Sequence, residues 1–77
     1  MDWEKYAHDN LVGKIIVEAR YMTDEEKKAT GFYRRAVVIV FDDGSLIYPS
    51  TDDEGNDAGA LFGQTKDNES LTFPVLG

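Results

Sequence analysis

One stretch of the sequence decides the fold: AVVIVFDDGSLIYP at residues 36–49. Its first half is a run of β-branched and aromatic residues, and a second apolar run follows an Asp-Gly dipeptide. Asp43 and Gly44 tolerate the positive φ values of tight hairpin turns, so the stretch predicts a β-hairpin. A two-residue turn at this dipeptide and a three-residue turn that includes Asp42 differ by one residue in strand register, and the sequence leaves both open.

The first strand of this hairpin is apolar on both faces, which is typical of a strand in the middle of a sheet. Covering both faces within 77 residues requires a closed small barrel, a helix on one face or a second subunit. We therefore expect a small α+β fold. It has a twisted antiparallel sheet of four or five strands, with an SH3-like half-barrel as one form, and a short N-terminal helix against it.

Two helices are predicted from their end signals. Residues 2–10 place Trp3 and Tyr6 on one side of a short helix that Asp2 can cap. Thr23 and Glu26 form a capping-box pattern at the start of a second, polar helix, which Gly31 can close. The polar composition of this second helix predicts a solvated connector.

Two further strands flank these elements. Residues 11–22 are expected to form a strand whose Ile15-Ile16-Val17 run is buried on both faces. Residues 70–76 alternate as a final strand, and Pro74 favours an edge position. Residues 50–63 are predicted to be a long loop with one helical turn near its end, followed by a polar turn.

The composition indicates a single domain spanning residues 1–77. There is no Cys, and His8 is the only histidine, so neither a disulfide nor a structural zinc site is available. Such a small chain depends on its core or on a partner subunit. The lack of Cys, of a signal peptide and of a long apolar run predicts a cytoplasmic protein.

The net charge of −7 lies entirely in the second half of the chain. Residues 1–40 contain seven basic and seven acidic residues, whereas residues 41–77 contain one Lys against eight acids. A surface of this charge repels nucleic acid and anionic membranes, so neither is expected as a partner. The Arg34-Arg35 pair cannot offset the acidic half.

The acidic segment 50–63 is the first candidate binding site. Its oxygen-bearing side chains are of the kind that calcium takes, but their spacing does not match the helix-loop-helix calcium motif. We therefore predict no metal site and no cofactor, and keep a small ligand or calcium as an alternative. The candidate ligand-binding residues are Tyr48, Ser50, Asp53 and Asn56.

Catalysis is not predicted, because no nucleophile and base stand at a recognisable spacing and His8 has no motif around it. The expected function is a non-enzymatic protein–protein interaction module, most simply a homo-oligomer. Trp3, Tyr6 and Phe62 are the candidate interface residues. A second alternative is an acidic inhibitor that mimics DNA, which the charge asymmetry suggests.

The segment Tyr48-Pro49-Ser50 through Asp53-Glu54-Gly55-Asn56 to Gly59-Ala60-Leu61-Phe62-Gly63, together with the Asp42-Asp43-Gly44 turn, resembles a motif of short uncharacterised bacterial proteins. The similarity spans about residues 11–63. That family carries no known activity, so the resemblance implies no functional residue.

Overall fold

The structure is a computed structural model that describes residues 1–50 and 58–77. These residues form, in chain order, α1 (Trp3–Leu11), β1 (Ile16–Tyr21), α2 (Asp24–Thr30), β2 (Val37–Phe41), β3 (Leu46–Pro49), β4 (Leu61–Gln64) and β5 (Ser70–Phe73).

The strands form one antiparallel sheet in which each strand pairs with its neighbours in the sequence, in the order β1-β2-β3-β4-β5. The predicted α+β fold with an N-terminal helix and a five-stranded antiparallel sheet is therefore confirmed. The sheet does not close into a barrel, so the closed small barrel that was one way of covering both faces is ruled out. Within the described chain, β1 and β5 are the two edges.

The hairpin between β2 and β3 uses the three-residue turn. Ile39 lies opposite Ile47, and the Phe41 amide donates to the Ser45 carbonyl at 2.8 Å. The Gly44 amide donates to the Phe41 carbonyl, and Gly44 has a φ of 86°, which closes a turn followed by a bulged glycine. The two-residue alternative would instead have paired Phe41 with Leu46.

The two helices lie on opposite faces of the sheet. On one face, Arg20 is the cross-strand partner of Val38 and binds Glu26 of α2 through two hydrogen bonds of 2.7 and 3.0 Å. Following the register across the sheet places Phe73 on the other face. There it packs against Tyr6 of α1, with ring centroids 5.3 Å apart.

Local signals account for both helices. Asp2 accepts a hydrogen bond from the Lys5 amide, which caps α1 as predicted. The capping box of Thr23 and Glu26 is complete, and Gly31 ends α2 in the left-handed conformation. Among the described residues, neither helix combines the length and apolar character that a membrane crossing requires.

The hydrophobic core is thin. Only a few apolar side chains of the described residues are buried, namely Met22, Val38, Phe41 and Leu71. Most apolar side chains of the described residues therefore stay partly or fully exposed to water.

Two predictions about the strands were wrong. The Ile15-Ile16-Val17 run is exposed instead of buried, because β1 is an edge strand. Residues 61–64, predicted to lie in a loop and the polar turn after it, form β4, which pairs with both β3 and β5. Pairing on both sides overrides the weak local strand signal of this Gly-containing segment.

Gly63 makes this pairing possible. It is buried opposite Ile47, and a Cβ at this position would collide with the Leu46 carbonyl oxygen. A backbone oxygen cannot move aside as the end of a flexible side chain can. The close approach of β4 to β3 therefore requires a residue without a side chain here.

We expect Gly63→Ala to lower the free energy of unfolding by about 3 kcal/mol, because the added methyl group forces β4 away from β3. Gly31→Ala is the matched control, since its cost of about 1 kcal/mol arises from the positive φ alone, with open space around the new atom. Urea unfolding followed by circular dichroism measures both. Equal losses in the two variants would contradict the close approach at Gly63.

Candidate functional site

The edge strand β1 carries the largest exposed apolar surface among the described strands. Ile16, Val17 and Tyr21 are 58, 61 and 63% exposed, and the preceding Ile15 is 63% exposed. The edge strand β5 differs, because Leu71 is buried and Phe73 is covered by α1. Contiguous exposed apolar surface of this kind marks interaction sites.

Among the described residues, the outer side of β1 also presents backbone groups without a strand partner, since the sheet lies only on its β2 side. A β-bulge interrupts the pairing between Ile16 and Glu18, where Val17 is the extra residue. The regular part of the edge is therefore short and runs from Glu18 to Tyr21.

Charged side chains alternate with apolar ones along this edge. Arg20 forms a bidentate ion pair with Glu26 and a longer contact of 3.7 Å with Glu18. The hydrogen bonds from Arg20 and from the Thr23 amide lower the pKa of Glu26 to about 2. The Arg20 guanidinium is thus anchored to α2, and the exposed Glu18 carboxylate has only the longer contact.

A polar cluster holds the β2–β3 turn beside the start of β1. Ser45, 2% exposed, donates to the Asp43 carboxylate at 2.5 Å and accepts from the Lys14 ammonium at 3.0 Å. Lys14 also contacts Asp43 at 3.1 Å and lies over the Phe41 ring, 5.6 Å from its centroid.

This cluster brings together a serine, a lysine and an aspartate, the residue types of some nucleophilic sites. However, the Ser45 hydroxyl is buried and both of its neighbours are charged partners that hold it in place. A substrate cannot approach the hydroxyl without unfolding the turn. The hydrogen bonds and the ion pair of this cluster instead hold the β2–β3 turn in place.

The structure brings together only part of the predicted ligand-binding set. Tyr48 lies between the rings of Phe32 and Phe62, with centroid distances of 6.0 and 6.1 Å. The Ser50 hydroxyl donates to the Ala60 carbonyl, which ties the end of β3 to the start of β4. The other two predicted residues, Asp53 and Asn56, lie outside the described residues.

A small cavity of about 90 Å³ opens between α2 and the sheet. Met22, Ala29, Val38 and Tyr48 form most of its apolar wall, and Glu26 lies at its side. Its volume is far below the 300 to 1,000 Å³ that is typical of small-molecule sites. Of the predicted ligand-binding residues, Tyr48 contributes to this cavity.

The three predicted interface residues do not share one surface. Trp3 packs edge-on against Tyr6 at 5.4 Å, and Tyr6 contacts Phe73 on the α1 face. Phe62 pairs with Tyr48 on the α2 face. A single contact surface can therefore include Trp3 and Tyr6 or Phe62, but not all three.

Within residues 1–50 and 58–77, no three His, Asp or Glu side chains come together in a way that could hold a metal ion. The acids at positions 52, 53, 54 and 57, on which the calcium alternative depends, lie outside the described residues. His8 is exposed on α1, where Asp9 is its ionic neighbour at 3.5 Å.

No protein-family model, curated protein or solved structure matches this chain. The resemblance to short bacterial proteins stays a prediction.

The position of β1 at the edge of the sheet was not predicted, because the order of strands in a sheet does not follow from local sequence patterns. The Ile15-Ile16-Val17 run has the composition of a buried strand, and only its place at the end of the sheet exposes it. The alternation of Glu18, Ala19, Arg20 and Tyr21 after this run was the available signal, since charges on a strand are typical of an edge. No local sequence pattern predicts the contact between Lys14 and Ser45, because the two residues are 31 positions apart.

The turn cluster predicts an acid-dependent loss of stability. Hydrogen bonds from Ser45 and Lys14 lower the pKa of Asp43 to about 2 from an ordinary value of 3.8. Because the folded pKa lies below the unfolded one, the stabilisation is complete above about pH 4 and is lost as the pH falls toward 2. Asp43→Asn should lower the urea midpoint at pH 7 and flatten its decline over this range.

Asp67→Asn, which removes an exposed carboxylate in the turn between β4 and β5, is the control. It should keep the wild-type slope between pH 4 and pH 2. An Asp43→Asn profile that runs parallel to the wild-type profile at every pH would contradict the role of the turn cluster. The remaining acid dependence of Asp43→Asn is expected from Glu26, whose pKa is also lowered to about 2.

Proposed function

We propose that this protein is a non-enzymatic protein–protein interaction module that works by self-association, and that β1 is its contact surface. The observation that carries the proposal is the exposed apolar edge of Ile15, Ile16, Val17 and Tyr21. A strand edge that exposes apolar side chains and backbone groups is a template for pairing with another chain.

The thin core supports the same proposal. A domain of this size buries only about 60% of the surface of its unfolded chain, and the described residues bury only a few apolar side chains. Association would remove apolar surface from water that the fold itself cannot cover. The acidic surface outside β1 favours solubility of the resulting complex.

The proposed compartment is the cytoplasm, which is supported by the absence of Cys from the sequence. No disulfide is then needed to stabilise the small core, because association supplies the missing burial. Oligomerisation is one of the usual ways in which small domains gain stability.

We expect the wild-type chain to form a dimer in sedimentation or light-scattering measurements over a micromolar concentration series. Val17→Lys should raise the dimer Kd at least tenfold, because burial of a valine contributes about 1.5 kcal/mol and a symmetric interface contains two copies. Since Val17 is exposed in the single chain, the variant should keep its circular dichroism spectrum.

Val75→Lys is the matched control, because Val75 is similarly exposed, at 53%, but follows β5 at the other end of the sheet. It should leave the dimer Kd unchanged. A wild-type chain that stays monomeric at millimolar concentration would overturn the proposal.

A further inference from the structure

Building on the proposed function, we infer that two copies join by antiparallel β1–β1 pairing across a two-fold axis at Ala19. The geometry points to one register, in which Glu18 of each copy lies opposite Arg20 of the other. The two five-stranded sheets then become one continuous sheet of ten strands.

The pleat of the strand limits the possible registers. In an antiparallel pair, residues directly opposite each other have side chains on the same face. Glu18 and Arg20 face α2, since their partners Val40 and Val38 are on that face, whereas Ala19 and Tyr21 face the other way. A two-fold axis perpendicular to the sheet must therefore pass through a residue and not between two residues.

The β-bulge further reduces the number of possible registers. It ends regular pairing at Val17, so the axis can pass only through Glu18, Ala19 or Arg20 if several residues are to pair. An axis at Glu18 would place the two Glu18 carboxylates directly opposite each other. An axis at Arg20 would do the same with the two guanidinium groups, and like charges in opposite positions destabilise a sheet.

Only the axis at Ala19 places unlike charges opposite each other. It forms the pair between Glu18 and Arg20 twice, once on each side of the axis. Glu18 is free to serve this role, because its side chain is 57% exposed and its own Arg20 is 3.7 Å away. The Glu26 carboxylate holds Arg20 at 2.7 Å and so keeps the guanidinium ordered before the partner arrives.

The same register joins apolar side chains on the opposite face. The two Ala19 side chains lie opposite each other at the axis. Tyr21 of each copy lies at the end of the paired segment, next to the bulged Val17 of the other copy, and an aromatic and a β-branched side chain can pack together there. Both side chains are more than half exposed in the single chain and would be covered together.

The other edge is a poorer site for this pairing. Pro74 follows β5 directly and has no amide hydrogen to offer a neighbouring strand. The Phe73 ring is already packed against Tyr6. The outer strand β5 also has no self-complementary charge pattern, because its four residues are uncharged.

A cysteine at the axis tests the register directly, and the absence of native cysteines leaves no competing thiol. Opposite residues of an antiparallel pair have Cα atoms about 4.5 or 5.5 Å apart, and both distances suit a disulfide. Ala19→Cys should give a covalent dimer in most of the protein under mild oxidation. Thr72→Cys on the exposed side of β5 is the control and should give little.

Charge exchange provides a second, reversible test. Glu18→Lys and Arg20→Glu should each weaken the homodimer at least tenfold, because each places like charges opposite each other twice. A mixture of the two variants restores unlike charges at both positions, so a heterodimer with near wild-type Kd should form. Glu69→Lys, an exposed charge next to β5, should change neither the homodimer nor the mixture.

The outcomes separate this inference from the proposed function. A wild-type dimer with no Ala19→Cys cross-link and no heterodimer rescue would overturn the β1–β1 register while self-association stands. Efficient cross-linking of Thr72→Cys would overturn it in favour of the β5 edge. A chain that is monomeric at all concentrations would overturn both.

Discussion

The structure depends on the register of the hairpin between β2 and β3. Since side chains alternate between the two faces of a strand, a slip of one residue would move every side chain of β3 to the wrong face. The three-residue turn sets the register, and the buried Ser45 holds the turn between Asp43 and Lys14. With β3 fixed, β4 and β5 follow by pairing in sequence, and Val38 and Tyr48 come to line the cavity under α2.

The residues outside the sheet are too few to cover both of its faces. Each face has one short helix, and neither α1 nor α2 contains a fully buried residue. The core remains small, and several of the exposed apolar side chains lie on or next to β1, whose outer side pairs with no other strand of the described residues. The partner that we propose is a second copy of the chain, because Glu18 and Arg20 give the edge a charge pattern complementary to itself. The net charge of −7 opposes association at long range, so any contact must come from local complementarity.

Much of the fold was predictable because its signals are local. The hairpin, the capped α1 and the capping box of α2 each depend on residues within a few positions of one another. β4 was missed, because Leu61-Phe62-Gly63 becomes a strand through its pairing partners and through the space that Gly63 leaves for the Leu46 carbonyl. Of the candidate site, the sequence suggested self-association but placed it at Trp3, Tyr6 and Phe62 and not at β1.

By itself, the sequence determined an α+β domain built on one hairpin, two capped helices and an acidic second half. It determined these because turn chemistry, caps and charge act over a few residues. Only the tertiary structure decided that Ile15-Ile16-Val17 lies in water at an edge, that α1 and α2 cover opposite faces, and that Lys14 reaches Ser45. Those outcomes depend on which strand lies at the end of the sheet, a property of the whole chain that no short window of residues contains.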